Sequence, residues 1–166
     1  RMCQKYLDMP EAQLLALEPT FTERLLEIRN LISPTGKVVV VDYPNLVTQV
    51  PYVMATNGCV VDVTGSVLDL CALSNHVGME VVQRTNTDLG YEFAIFYNET
   101  KHLFTTHESM ANPNRLNPKS WIKEYGQGND INEWLHLNPT GHSELGTALS
   151  DFGTFGVVKE AAFTQG

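Results

Sequence analysis

Glu133 and His136 stand three residues apart, immediately before Leu137-Asn138-Pro139-Thr140-Gly141-His142. One local turn can bring a carboxylate at that spacing to the imidazole. A carboxylate that fixes the tautomer of a loop histidine, and stabilises its imidazolium, is half of a nucleophilic triad. The plain alternative is a surface histidine beside a surface glutamate, because triads are set by geometry and not by spacing. The residues after His136 predict how it is held. Asn138 suits a helix N-cap, and Pro139 then takes the first helical position, where its missing N–H costs nothing. The helix is expected to continue through Glu144, Leu145, Ala148 and Leu149. His136 is thereby placed on a loop just before a rigid helix start.

Other reactive side chains are more scattered. Cys3, Cys59 and Cys71 fit no zinc pattern, and no Cys-x-x-Cys occurs. Cys59 and Cys71 are spaced to close a short bridged loop in an oxidising compartment; buried free thiols are the alternative. Cys3 is left to a partner outside the chain. Gly65-Ser66-Val67 offers a serine, but the pattern after it is helical, so Ser66 is expected to begin a helix. His107 is a loop histidine able to line a cleft, and His142 falls about one turn inside the last helix.

A scaffold of helices and strands has to hold these side chains. Pro10 to Leu17 starts helically and Pro19 interrupts it. Thr20-Phe21-Thr22-Glu23 predicts a capping box for a second helix, with Phe21, Leu25, Ile28 and Ile32 on its apolar stripe, Leu31 widening it and Leu26 on the far side. Ser33-Pro34-Thr35-Gly36 closes it. Lys37 to Asp42 carries four consecutive valines, which predicts a strand buried on both faces, as in a parallel sheet. Tyr43-Pro44-Asn45-Leu46 comes at its carboxyl end, where α/β sheets place their sites. Gln49 to Thr64 is expected to be an irregular loop. From Ser66 a helix is expected to end near Gly90, a left-handed C-cap, with Asn75 and Gly78 as weak points. Tyr91 to Phe96 predicts a second strand, and Ala111 to Asp130 a long loop.

Taken in this order, the residues resemble the SGNH (GDSL-type) hydrolases, most strongly the secreted bacterial esterase and lipase branch. Glu133-x-x-His136 with Asn138-Pro139-Thr140-Gly141-His142 is similar to the family's last block, which supplies the triad acid and base. Glu133 stands where aspartate is usual, and Leu137-Asn138-Pro139 replaces Pro-Asn. Ile28-Arg29, Val38 to Val41 and Tyr43-Pro44 resemble the family's helix, strand and Tyr-Pro loop. Phe104-Thr105-Thr106-His107 resembles a Phe-x-Gly-His stretch with Thr106 in place of the glycine, and Trp121-Ile122 a Trp-containing stretch before the last block.

The resemblance implies a three-layer α/β/α sandwich with a flavodoxin-like parallel sheet, of which residues 1–152 form the C-terminal part and 153–166 a tail. It implies ester hydrolysis by a serine nucleophile, with His136 as base, Glu133 orienting it, and no metal or cofactor. The Gly-Asp-Ser and Gly-x-Asn-Asp blocks are not found here. Gly128-Asn129-Asp130 lies too close to the histidine block to serve as the latter. The serine and oxyanion-hole residues are therefore expected outside this chain, on an upstream segment or another polypeptide. A noncatalytic SGNH-like binding module is the alternative. The secreted branch also supports the Cys59–Cys71 disulfide and an extracytoplasmic location.

Composition excludes other classes. Of 166 residues 43% are hydrophobic and 18% charged, which suits a globular domain with a real core. A net charge of −8 argues against nucleic acid and against a polybasic membrane patch. The longest apolar run, Phe93 to Tyr97, is far short of the ~20 residues of a membrane span. Arg1-Met2-Cys3-Gln4-Lys5 opens a polar segment without a signal-peptide core, as a mature secreted chain does.

Overall fold

The computed structural model describes residues 12–48, 53–56, 59–62, 64–110, 116–124, 127 and 135–163. Cys3, Glu133, Trp134 and the 128–130 stretch lie outside them. A helical turn over 12–15 closes with the Leu17 N–H on Leu14 O at 3.1 Å, and α1 (Glu18–Leu31) comes next. The expected capping box does not form. The helix starts before Thr20, with Leu17 at the N-cap and no side-chain cap. Pro19 begins this helix instead of interrupting it, because a first-turn residue needs no N–H donor.

The apolar face of α1 is wider than its cover. Leu25 is buried, and Phe21 and Ile32 pack beside it on the core. Ile28 and Leu31, expected on the same stripe, are 37% and 84% exposed. Leu26 is exposed on the far side, as its position predicts.

Strand β1 (Val38–Val41) leads to an antiparallel hairpin of β2 (Val53–Thr56) and β3 (Cys59–Asp62). Helix α2 (Thr64–Leu89) then crosses back to β4 (Ala94–Tyr97). β1 and β4 pair in parallel, Val38 opposite Ala94 and Val41 opposite Tyr97. Parallel neighbours cannot be joined by a tight turn, and α2 supplies the crossover. The architecture is mixed α/β with a small two-stranded parallel sheet. Within 49–64, expected as an irregular loop, the described residues 53–56 and 59–62 form this hairpin. Thr56 pairs with Cys59, so the two intervening residues are Asn57-Gly58, a strong hairpin signal.

Strand pleat sets the core. Val38, Val40, Ala94 and Phe96 face Leu25, Val77, Val81 and Val82 from α1 and α2. Val39 points the other way and is 38% exposed, so β1 is not buried on both faces. The cover from α1 and α2 lies over the opposite face.

Both weak points of α2 prove to be contacts. Asn75 accepts the Tyr43 N–H at 2.5 Å and donates to Tyr43 O at 2.9 Å. Gly78 lets Phe96 approach so closely that a Cβ would stand 3.0 Å from its ring. Gly90 has φ +73° and caps α2, its N–H bonding Asn86 O at 3.0 Å, as expected. Asn86 in turn holds the entry to β4, accepting the Phe93 and Ala94 N–H groups at 2.9 Å each and donating to Ala94 O at 2.8 Å.

Cys71 is a free thiol, 3% exposed. The expected Cys59–Cys71 bridge is absent. Burial inside α2 pushes the thiol pKa up and keeps it protonated.

The short α3 (Thr100–Leu103) comes after β4, and α4 (Pro139–Phe163) ends the described chain. α4 runs well past Leu149, into the segment expected as a tail. Its Phe152 meets Tyr97 edge-on at 5.1 Å. No described helix is long and apolar enough to cross a membrane.

Candidate functional site

The loops that leave the carboxyl ends of β1 and β4 are stitched together. Asp42, at the end of β1, is 6% exposed and accepts the Thr100 N–H at 3.1 Å. Desolvation pushes its carboxyl pKa up, against the opposing effect of its hydrogen bonds from Thr100. Burial also raises Tyr97, with the Glu99 and Asp42 charges adding to it. Further along, Val47 pairs with Ser109: Thr48 N–H bonds Ser109 O at 2.9 Å, and Ser109 N–H bonds Leu46 O at 3.0 Å.

Glu124 is the buried centre of these loops, at 1% exposure. Its carboxylate accepts from Ser109 Oγ at 2.6 Å, Met110 N–H at 3.0 Å and Asn117 N–H at 2.9 Å. The Asn117 side chain adds bonds to Thr106 O and Glu108 O. The described part of the 111–130 loop is thus internally braced.

His107 lies half-buried against this brace. Its Nδ1 is 2.6 Å from Lys119 O, and its ring stacks on Trp121 with centroids 3.9 Å apart. Trp121 also meets the buried Phe104 edge-on at 5.2 Å. The residue before His107, Thr106, has φ +72°. That left-handed conformation costs a β-branched residue about 1–2 kcal/mol. Thr106→Gly is expected to raise stability by about 0.5–1 kcal/mol, after subtracting glycine's greater unfolded freedom. Urea unfolding checks this; an unchanged or lower midpoint would show that no strain is stored there.

The start of α4 forms as the sequence predicts. Asn138 Oδ1 accepts the Gly141 N–H at 2.9 Å, and Pro139 occupies the first helical position. The cap is tied to the preceding loop: Asn138 N–H bonds Trp121 O at 2.9 Å, and its Nδ2 bonds Ser120 O at 2.7 Å. Gly141 is buried against the same residue. A Cβ there would stand 2.4 Å from Trp121 O, so only glycine fits.

His136 is exposed on the loop before this cap. Its carbonyl accepts the Lys123 N–H at 2.8 Å, and Leu137 bridges Ile122 in antiparallel fashion. The imidazole has no hydrogen bond among the described residues. Leu135, just before it, has φ +61°, and its side chain packs on Val47. Burial there offsets the backbone strain. His142 is exposed, four residues into α4. Ser66, as expected, belongs to the first turn of a helix.

The structure therefore joins the His107 and His136 loops through residues 119–123. It leaves the acid of the pair undescribed, because Glu133 lies outside the described residues. Glu124 and Asp42 went unnoticed in the sequence as site residues. No hydrophobic period marks Glu124, and its partners are separated from it by 7 to 15 positions.

An apolar cavity of about 430 Å³ lies between α1, β1 and α2, lined by Leu17, Phe21, Val40, Tyr43 and Phe96 among others. No histidine lines it. Among the described residues no group of three or more His, Cys, Asp or Glu side chains is arranged to hold a metal ion. No family model matches the chain, and no curated protein or solved structure matches it.

Proposed function

We propose that this chain is the C-terminal part of an SGNH-type serine hydrolase acting on esters, with His136 as its base. The observation that carries the reading is the joining of two sequence-distant histidine loops through Trp121, beyond the carboxyl ends of two parallel strands. Ligand sites of open α/β sheets lie at that end. Thr106 adds support, because its left-handed backbone is the kind a glycine takes, and the family has glycine there. Gly141 adds more, since its contact with Trp121 gives the Gly-His of the last block a packing reason. The edge-on contact of Phe152 with Tyr97 supports a second helical layer, and so the three-layer sandwich.

In this reading His136 takes the proton of a serine hydroxyl as the oxygen attacks the ester carbonyl. It then passes that proton to the leaving alcohol, and water discharges the acyl group by the same route. Glu133 orients the imidazole. The serine and the oxyanion donors come from the rest of the domain, upstream or on another polypeptide, and the protein works outside the cytoplasm. No metal or cofactor takes part.

The chain alone is expected to hydrolyse a chromogenic short-chain ester at background rate and to resist a fluorophosphonate probe. Joined to its upstream coding region, it is expected to turn over the ester and to take the label. Stoichiometric labelling of a serine in this chain, Ser66 included, would overturn the placement of the nucleophile. An upstream region without a reactive serine would leave the alternative, a noncatalytic binding module.

A further inference from the structure

Three successive backbone carbonyls tie the two histidine loops together. Lys119 O takes the His107 ring at 2.6 Å, Ser120 O takes Asn138 Nδ2 at 2.7 Å, and Trp121 O takes Asn138 N–H at 2.9 Å. A carbonyl only accepts, so the proton on the His107 ring is on Nδ1. His107 also holds Trp121 in two ways. Its ring stacks on the indole with planes 11° apart, and its own carbonyl accepts the Trp121 N–H at 2.8 Å. Trp121 O then abuts Gly141 in the first turn of α4, and Asn138, its cap, stands two residues after His136. A displacement of residues 119–121 must therefore move the cap and the loop before it.

We propose that His107 is the positioning residue of the His136 loop, acting through Trp121 and Asn138. The role has two separable parts. The Nδ1 proton fixes where the Lys119 carbonyl sits, and the ring fixes where the indole sits. His107 does not touch the reacting atoms in this assignment. The catalytic consequence rests on the ester-hydrolase reading; the positioning itself does not.

The substitutions divide the two parts. His107→Phe keeps a stacking ring and removes the donor. His107→Asn keeps a donor close to the place of Nδ1 and removes the ring. Amide hydrogen exchange in the full chain is the readout, at Asn138 and Gly141 against Phe93, which Asn86 holds elsewhere in the fold. Each variant is expected to speed exchange at Asn138 and Gly141 on the order of tenfold and to leave Phe93 unchanged, since local opening is read residue by residue. His107→Ala is expected to exceed both. Unchanged exchange at Asn138 and Gly141 would overturn the proposal, and so would an equal rise at Phe93, which marks a merely stabilising residue. With the upstream part joined, kcat is expected to fall and KM to hold. A parent without esterase activity would end the hydrolase reading, and the exchange rates would still decide the positioning.

Discussion

Replacing His136 by alanine, in the chain joined to its upstream part, is expected to lower kcat by about 10⁴ or more, by analogy with the loss of a triad base. The loss is not expected to come from unfolding. The imidazole is exposed and makes no hydrogen bond among the described residues, so its removal changes stability by about 0.5 kcal/mol at most. The loop keeps its main-chain bonds, Lys123 N–H to His136 O and Asn138 N–H to Trp121 O. Glu133→Gln is expected to cost less, because a backbone carbonyl can also orient an imidazole. The Lys119 carbonyl does so for His107. The measurements are kcat for both variants and the parent, with unfolding midpoints alongside. If His136→Ala keeps more than about a tenth of the parent rate, the base lies elsewhere, and His107 is the first candidate.

Glu124→Ala is expected to be the most damaging single change to stability, at about 3–5 kcal/mol. The side chain is 1% exposed and accepts from Ser109 Oγ, Met110 N–H and Asn117 N–H. Truncation leaves those donors facing a void. Domain stabilities are about 5–15 kcal/mol, so this is a large share of the total. Glu124→Gln keeps one acceptor oxygen, and the Ser109 hydroxyl can turn to accept from its amide, so it is expected to cost roughly half as much. The fall in the urea midpoint measures both, and a loss below about 1 kcal/mol for the alanine variant would show that the carboxylate does not organise the loops.

Local signals in the sequence carried over well. The Asn138-Pro139 helix start, the Gly90 cap and both parallel strands depend on near neighbours, and the sequence pattern finds them. β4 lies at Ala94–Tyr97, within a few residues of the expected run. Errors came where one residue type serves two purposes. Pro19 breaks a helix interior and also opens a helix, and only the chain before it decides which. Asn57-Gly58 signals a hairpin, but Pro51 and uneven valines hid its strands. The spacing of Cys59 and Cys71 said nothing of the direction in which Cys71 points. Partners remote in sequence were illegible: Asn75 with Tyr43, Gly78 with Phe96, His107 with Trp121. The histidine loop and Trp121 could each be read from the sequence, whereas the contact that joins them could not.

The strand β1 has a further consequence, for the behaviour of the protein at high concentration. Among the described residues it is paired along one edge, by β4. Its other edge is a run of four valines with neither a charge nor a proline. Natural edge strands are commonly blunted by lysine, proline or a bulge, because a bare edge templates pairing with another chain. Sample solubility should therefore track the occupancy of that edge. A lysine in place of the half-exposed Val39 should keep dilute and concentrated samples alike in light scattering, whereas the unsubstituted chain is expected to grow with concentration.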